Sequence, residues 1–250
     1  MLQEGRGGEE LEYTQAVTID VGRSGRIAGD LRIPQGATSV VVFAHGSGSS
    51  RLSPRNRQVA RYLEEGGLAT FLFDLLTPAE ESVDDRTREY RFNIPFLAER
   101  LSLVTQWLKQ QDATKELHIG YFGASTGGGA ALEAAAKKQE HVSAVVSRGG
   151  RPDLASDEAL SKVTAATLLL VGGYDHPVIG MNQRAYDKMV NCKEKQLVII
   201  PKATHLFEEP GKLEEVCQAA RHWFLRYLQP AKSNRHPASS SSSQEGASNQ

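Results

Sequence analysis

The sequence predicts an α/β fold, in which a mostly parallel sheet of about eight strands carries an antiparallel hairpin at its N-terminal edge and helices on both faces. Three observations support this fold. Short apolar runs alternate with segments of helical periodicity along most of the chain. The first segments instead alternate apolar and polar residues, as the strands of a hairpin do. Finally, a G-x-S-x-G sequence follows one of the apolar runs directly, which is typical of a sharp strand-to-helix turn.

The elements follow in chain order. The hairpin is predicted over residues 12–21 and 27–33, around the turn sequence GRSGR. Six apolar runs are predicted as buried strands, at residues 40–44, 69–73, 117–122, 142–147, 167–171 and 197–200. Helices are predicted between or after them, at residues 55–65, 90–111, 126–138, 179–189 and 213–228. Residues 148–166 leave room for only a loop and one short helix, so no large cap domain is expected there.

One domain is expected over residues 14–229, because 250 residues with 40% hydrophobic side chains are enough for a single α/β core. We expect residues 1–13 to be flexible. Residues 230–250 are polar and rich in serine, so we expect a disordered tail whose alternative role is a tether or a modification site.

Charge and composition narrow the classes of partner. The formal net charge is −1, which provides no basic field for nucleic acid or an anionic membrane. No apolar run reaches the roughly 20 residues of a spanning helix, and the N-terminus lacks a signal-peptide core. Cys192 and Cys217 have no metal-ligand spacing, so they are interpreted as reduced structural thiols. We therefore expect a cytoplasmic protein, monomeric or homodimeric, that acts on a small molecule and needs neither a metal nor a cofactor.

Ser125 is the predicted nucleophile. It is the central residue of the sequence GASTG, which follows the strand at 117–122 and begins an alanine-rich helix. In a nucleophile elbow the serine sits on a tight turn, and flanking glycines allow the close backbone approach that this turn requires. The pattern alone is weak, because it arises by chance in a chain with 23 glycines. A simple helix N-cap is the alternative role for Ser125.

Asp175 and His205 are the predicted acid and base. Asp175 follows the strand at 167–171, and His205 follows the strand at 197–200. A serine hydroxyl needs a base within hydrogen-bond reach and a third group that orients that base. Serine, acid, histidine is also the chain order of the α/β-hydrolases. The alternatives are a capping role for Asp175, a structural role for His205, and His176 as a weaker rival base.

Two backbone N–H groups are predicted to stabilise an oxyanion. One is the N–H of Thr126, at the positive end of its helix. The other belongs to Ser47 in the sequence HGSGSS, which follows the strand at 40–44. His45 is expected to support this loop rather than to take part in the chemistry.

Arginines cluster in segments that are expected to reach the same edge of the sheet. Arg51 and Arg148 are the predicted substrate-binding residues, because a guanidinium suits a carboxylate or a phosphate. On this hypothesis the acyl substrate is anionic. The alternative is that the arginines form ion pairs with acidic residues of the loops. The irregular segment 74–95 is the predicted wall of the substrate site, since ligands of open α/β sheets bind at the carboxyl ends of the strands.

With these residues placed, the chain resembles the α/β-hydrolase superfamily, and within it the bacterial dienelactone-hydrolase-like branch. The resemblance spans residues 16–228 and rests on VVFAHGSGSSRLSPRN, FDLLTPAEE, YFGASTGGGAAL, VSRGGRPDLA, VGGYDHPV and ATHLFEEPG. Some relatives carry such a module fused to a phosphoribosyltransferase domain, for which we expect no room here. Dienelactone hydrolase proper has a cysteine nucleophile, whereas this chain has Ser125, which puts the dienelactone substrate in doubt.

The function expected from the sequence is hydrolysis of a small ester, thioester or lactone through an acyl-enzyme on Ser125. Two alternatives stay open. A perhydrolase or acyltransferase would use the same residues, with peroxide or an alcohol in place of water. A hydrolase-fold binding protein would keep the shape without turnover.

Overall fold

The computed structural model describes residues 11–228. The first strand begins at Leu11, inside the segment that the sequence assigned to a flexible N-terminus. The rest of that expectation, on residues 1–10, and the expected disordered tail at 230–250 lie outside the described residues.

Eight strands form one sheet in the order β1-β2-β4-β3-β5-β6-β7-β8. β1 and β2 form the predicted antiparallel hairpin, β2 also pairs antiparallel with β4, and all other neighbours are parallel. The strands are β1 (Leu11–Asp20), β2 (Arg26–Pro34), β3 (Ser39–Ala44), β4 (Ala69–Phe73), β5 (His118–Ala124), β6 (Val142–Arg148), β7 (Ala166–Gly172) and β8 (Lys195–Ile200). The predicted strand count and the position of the elbow after the fifth strand are confirmed.

Helices cover both faces of the sheet, because the parallel strands are apolar on both sides. The helices are α1 (Pro54–Glu64), α2 (Pro78–Thr87), α3 (Ile94–Leu108), α4 (Thr126–Lys137), α5 (Asp157–Lys162), α6 (His176–Lys188) and α7 (Lys212–Tyr227). One buried apolar cluster joins the sheet to α1 and α7. The other joins the opposite face to α3, α4, α5 and α6. In the described residues only a single 3₁₀ turn (Pro152–Leu154) and the short α5 lie between β6 and β7, so the large cap is absent there, as predicted.

Helix α2 corrects one sequence-based prediction. Residues 74–95 were expected to be irregular, yet Pro78–Thr87 is helical. The Thr77 side chain accepts a hydrogen bond from the N–H of Glu80, whose carboxylate accepts one from the N–H of Thr77. This capping box starts the helix even though α2 has no broad apolar face. The helix predicted at 90–111 is also shorter in the structure, where it corresponds to α3. Arg88 ends α2 in a left-handed conformation, and Asn93 caps the start of α3.

The carboxyl ends of the parallel strands meet along one edge of the sheet. At this edge β3 leads into the HGSGSS loop, β5 into Ser125, β7 into Asp175, and β8 into the loop that carries His205. Helix α2 follows β4 at the same edge. The topology therefore brings the predicted site residues to one place, although up to 158 positions separate them in the chain.

Candidate active site

Ser125 occupies a strained turn between β5 and α4. Its backbone has φ 51° and ψ −121°, a conformation that residues other than glycine rarely adopt. The glycines on either side permit it. A Cβ on Gly123 would lie 2.5 Å from the carbonyl oxygen of Gly127, and a Cβ on Gly127 would lie 2.2 Å from the carbonyl oxygen of Ala44. The pattern G-x-S-x-G is therefore a steric requirement of this turn.

Backbone hydrogen bonds hold the turn in place. The N–H of Ser125 donates to the carbonyl of Arg148 at 3.2 Å, and the carbonyl of Ser125 accepts from the N–H groups of Gly128 and Arg151, each at 2.9 Å. Ser125 occupies the N-cap position of α4, but its side chain makes no capping hydrogen bond. Ser125 therefore stands where a capping residue would, but its hydroxyl does not cap the helix.

Asp175 and His205 are joined directly. The Nδ1–H of His205 donates to Oδ2 of Asp175 at 2.6 Å, which leaves Nε2 as the acceptor on the far side of the ring. Asp175 stands at the N-cap position of α6, yet its side chain makes no capping hydrogen bond. Its carboxylate is therefore used to orient the imidazole. His176, the rival base, is exposed on the first turn of α6.

The His205 ring lies beside the elbow. The carbonyl of Arg148 accepts a hydrogen bond from the N–H of Ser125. The next residue, Gly149, has a φ of 50°. A Cβ on Gly149 would lie 3.5 Å from Cε1 of His205 and 3.0 Å from its carbonyl oxygen. Within residues 11–228 the Ser125 hydroxyl makes no hydrogen bond. Its Oγ is free to turn towards Nε2 of His205 or a ligand, and such bonds commonly tighten only when substrate is bound.

A buried side chain anchors the His205 loop. Phe207 is 1% exposed and has a φ of 57°, so it turns the chain back into the core two residues after the imidazole. The carboxylate of Glu209 accepts from the N–H of Thr204 at 3.1 Å on the other side of the loop. His205 is thus held from both directions while its own side chain stays partly accessible.

The two predicted oxyanion donors are not used in hydrogen bonds to the described residues. Within the described part of the chain, neither the N–H of Ser47 nor that of Thr126 has a hydrogen-bond partner, as expected for Thr126 at the first position of a helix. Gly46 packs against Ser125, since a Cβ on Gly46 would lie 3.2 Å from Cβ of Ser125. The HGSGSS loop therefore lies next to the elbow, with free N–H groups on both.

His45 holds the peptide that carries the Ser47 N–H. The N–H of Leu75 donates to Nε2 of His45 at 3.0 Å, so the ring proton is on Nδ1, which donates to the carbonyl of Gly46 at 2.9 Å. The N–H of Ser49 donates to the same carbonyl at 3.2 Å. Burial lowers the pKa of His45, which favours the neutral ring. With its carbonyl held by two donors, the Gly46–Ser47 peptide has a defined orientation.

A cavity of about 300 Å³ lies against these donors. Segment 74–95, the predicted wall of the site, supplies much of its lining, and the HGSGSS loop supplies most of the rest. The charged lining residues are Arg51, Asp74, Glu81, Asp84, Asp85 and Arg91, and Thr126 lines it next to the elbow.

The two predicted substrate-binding arginines lie in different environments. Arg51 lines the cavity, but its Nη1 is 2.5 Å from Oδ2 of Asp74. Arg148 does not line the cavity and is only 6% exposed, with Nη2 3.4 Å from Oδ1 of Asn56. Burial lowers the pKa of Arg148 to about 10. The arrangement of Arg51 corresponds to the ion-pair alternative, and Arg148 is out of reach of a ligand in the cavity.

Comparison with known proteins places this geometry in a family. A family model described as the alpha/beta hydrolase fold matches residues 39–175, more than half of the chain. The crystal structure of a dienelactone hydrolase from Anabaena variabilis is 58% identical, covers 87% of this chain and 99% of its own, and has a TM-score of 0.83. This chain is an α/β-hydrolase of the dienelactone-hydrolase-like branch. The family and this relative support hydrolase chemistry.

Other relatives add less about function. A carboxyl esterase from the fungus Tuber melanosporum shares the hydrolase fold, with 18% identity, coverage of 90% of both chains and a TM-score of 0.69. Two curated proteins of Mycobacterium tuberculosis, each named a putative phosphoribosyl transferase, are 56% identical over 202 residues. These residues are 81% of this chain but 44% of each relative. The hydrolase thus spans less than half the length of the curated relatives it matches.

Motifs in the sequence of this hydrolase did not indicate every residue of the site. Asp74 and Gly149 were missed, because their roles depend on partners from other elements. The signal for α2 was present, since Thr77 and Glu80 have the spacing of a capping box. Both cysteines are free and buried, and burial raises the pKa of Cys217 to about 11.

Metal-binding clusters and membrane spans are both absent from residues 11–228. These residues contain no group of three or more His, Cys, Asp or Glu side chains placed to hold a metal ion. None of their helices combines the length and the hydropathy of a membrane span.

Proposed function

We propose that this chain is a serine hydrolase that cleaves a small carboxylic ester, thioester or lactone through an acyl-enzyme on Ser125. The observation that carries the proposal is the 2.6 Å hydrogen bond between His205 and Asp175, beside a serine whose backbone is held in a strained turn. Strain of this kind persists only where the surrounding structure enforces it. An oriented base and an enforced serine conformation at one edge are what nucleophilic catalysis requires.

The proposed reaction has two halves. Oγ of Ser125 attacks the substrate carbonyl while Nε2 of His205 takes the hydroxyl proton, and the N–H groups of Ser47 and Thr126 donate to the oxyanion. Collapse of the tetrahedral intermediate breaks the bond to the leaving group, which receives the proton from His205. Water, activated by the same imidazole, then releases the acid and restores Ser125. Asp175 stabilises the transient imidazolium.

We also propose that the hydrolase acts in the cytoplasm, as a monomer or homodimer and without a cofactor. Its two free, buried cysteines support a reducing compartment. Phosphoribosyl transfer is not part of the proposal, because the name of the mycobacterial relatives describes proteins of which this chain spans 44%.

Labelling by a fluorophosphonate tests the nucleophile. We expect the protein to gain the mass of a single phosphonyl group, with the adduct on the peptide that contains Ser125. Preincubation with the probe should abolish hydrolysis of short p-nitrophenyl esters, and the uninhibited protein should release an initial burst of p-nitrophenol. Absence of both labelling and turnover would favour the binding-protein alternative, and a label on another residue would contradict the assignment of Ser125.

His45 is proposed to position the oxyanion donor of Ser47. We expect His45→Phe, which keeps a ring but loses both hydrogen bonds, to lower kcat for these esters about tenfold to a hundredfold with little change in KM. His45→Asn should recover part of the loss, because its amide N–H can donate to the carbonyl of Gly46. Because burial holds the pKa of His45 below its usual value, the ring is neutral well above that value and the loss should be the same at pH 7.5 and pH 8.5.

Stopped-flow or steady-state ester kinetics measure these values. A purely structural role for His45 would instead lower the melting temperature of both variants without the split between kcat and KM, and would leave Asn no better than Phe.

A further inference from the structure

The charge on the cavity wall bears on the class of acyl group that the hydrolase takes. Two arginines and four carboxylates line the cavity, which gives the lining a formal net charge of −2. The formal net charge alone does not determine which acyl groups the cavity accepts, because an arginine without a carboxylate partner could still bind an anion. The pairing of each arginine is therefore the relevant observation.

Arg51 is ion-paired with neighbouring carboxylates, although its Nε makes no hydrogen bond within the described residues. Its Nη1 is 2.5 Å from Oδ2 of Asp74, its backbone N–H donates to Oδ1 of the same residue at 2.8 Å, and its Nε is 3.6 Å from Asp30. The side chain is 27% exposed. An anionic ligand would have to displace Asp74 from a two-point contact, and the displaced carboxylate would remain in the cavity wall.

Arg91 is engaged in the same way. Its Nε donates to Oδ2 of Asp84 at 2.6 Å, and its Nη2 is 3.4 Å from Oδ1 of Asp85. Oδ1 of Asp84 accepts the backbone N–H groups of Tyr90 and Arg91 at 2.9 Å, so this carboxylate is fixed. These hydrogen bonds hold the pKa of Asp84 below its usual value despite burial. Arg91 therefore neutralises Asp84, and a substrate anion could reach its remaining amino group, Nη1, only beside the carboxylates of Asp84 and Asp85.

The charge that the two arginines do not balance lies on carboxylates of helix α2. Glu81 and Asp85 lie four residues apart on α2, line the cavity and are exposed to solvent. Next to the elbow, the Oγ1 of Thr126 is buried without a hydrogen-bond partner in the described residues, and Thr126 is 2% exposed. This hydroxyl can bond an uncharged polar group of a bound acyl chain.

We propose that the cavity takes uncharged or cationic acyl groups and discriminates against acyl groups that carry a carboxylate or a phosphate, with Glu81 and Asp85 as the residues that set the discrimination. The inference rests on the proposed hydrolase function. It reverses the expectation from sequence that Arg51 and Arg148 select an anionic substrate, because one arginine is paired and the other lies outside the cavity.

Three ethyl esters of similar acyl length test the proposal: ethyl pentanoate, monoethyl glutarate and ethyl trimethylammoniobutanoate. Acid release in a pH-stat gives kcat/KM for each. The uncompensated negative charge at Glu81 and Asp85, several ångströms from the substrate charge, is expected to slow the anionic ester about tenfold relative to the neutral one at ~0.01 M salt. The cationic ester should be at least as fast as the neutral one. At ~1 M salt the differences should largely disappear, because screening shortens to roughly 3 Å.

The double variant Glu81→Gln with Asp85→Asn should bring the ratio of neutral to anionic kcat/KM to within about threefold of unity. The matched control is Asp112→Asn with Glu116→Gln, which removes two exposed carboxylates near the opposite end of the sheet, before β5 begins. This control should leave the ratio unchanged. All four side chains are exposed, so folding should tolerate both double variants.

The outcomes separate the two proposals. Hydrolysis in which the anionic ester is as fast as the neutral one would overturn the charge discrimination and leave the hydrolase function intact. A cationic ester as slow as the anionic one would also overturn it, because the cavity would then reject charge of either sign. No hydrolysis of any ester, together with no labelling of Ser125, would overturn the proposed function and this inference with it.

Discussion

Replacing Ser125 by alanine is expected to lower kcat for ester hydrolysis by about 10⁶, the loss seen when a serine nucleophile is removed from a working triad. The physical reason is that no other hydroxyl at this edge, within the described residues, has an enforced strand-to-helix turn and an adjacent oriented imidazole. Ester kinetics with an active-site titrant measure the loss. Because Ser125 is half-buried and its side chain makes no capping hydrogen bond, the variant should keep the stability of the wild type.

The same prediction extends to the two partner residues. His205→Gln should cost about as much as Ser125→Ala, and combining the two should cost nothing further, since residues that act as one unit are not additive. Asp175→Asn should lower kcat about 10⁴-fold, because the amide favours the wrong imidazole tautomer while keeping the shape.

His176→Gln is the matched control for the base, because this exposed histidine directly follows Asp175. It should retain activity close to that of the wild type. Equal losses from His176→Gln and His205→Gln, or losses that simply multiply when Ser125→Ala and His205→Gln are combined, would contradict the proposed roles.

Gly127→Ala is expected to destabilise the hydrolase by about 4 kcal/mol or more, or to prevent folding, an unusually large effect for one methyl group. The new Cβ would lie 2.2 Å from the carbonyl oxygen of Ala44 and 2.6 Å from that of His45. Both contacts are backbone atoms, so no side chain can rotate away. The end of β3 and the loop with the Ser47 donor would have to move.

Gly180→Ala is the matched control for this substitution. Gly180 lies within helix α6, and a Cβ there would have only the end of the Arg184 side chain nearby, at 3.5 Å. Alanine should leave stability unchanged or raise it by about 0.5–1 kcal/mol, because it is the better helix former. Urea denaturation of the three proteins measures the difference. Wild-type stability for Gly127→Ala would contradict the close packing of helix α4 against the end of strand β3.

The elbow illustrates how much of the site could be predicted. The glycines and the serine of the elbow, together with the apolar strand before them, are local signals. The tight strand-to-helix turn leaves no room for side chains at the two glycine positions, whatever the rest of the fold. Ser125, Asp175 and His205 follow the fifth, seventh and eighth strands, and this order placed them at one edge without any coordinates, since parallel strands share their carboxyl ends. The hydrogen bond between Asp175 and His205 could not be predicted, because it depends on loop conformations such as the left-handed turn at Phe207.

Helix α2 was missed because its lack of helical periodicity outweighed the capping box at its start. Its residues alternate without an apolar face, so periodicity predicted a loop. The capping box at Thr77 and Glu80 begins the helix, and two contacts made only in the folded chain stabilise it. Glu80 pairs with Arg100 of α3 at 2.6 Å, and Asp84 holds the Arg91 segment. A charged helix of this kind is stabilised largely by its partners, which its own residues do not specify.

The sequence by itself determined the order of strands and helices, the strained serine and the histidine and acid that follow it. These features depend on hydrophobic periodicity and on backbone sterics, which act over a few residues. Only the tertiary structure decided which charges neutralise each other. Arg51 meets Asp74 across 23 positions, and Arg148 is buried between α1 and α7 rather than in the cavity. Charge pairing depends on distances of a few ångströms between separate elements, so a count of arginines pointed to an anionic ligand that their partners argue against.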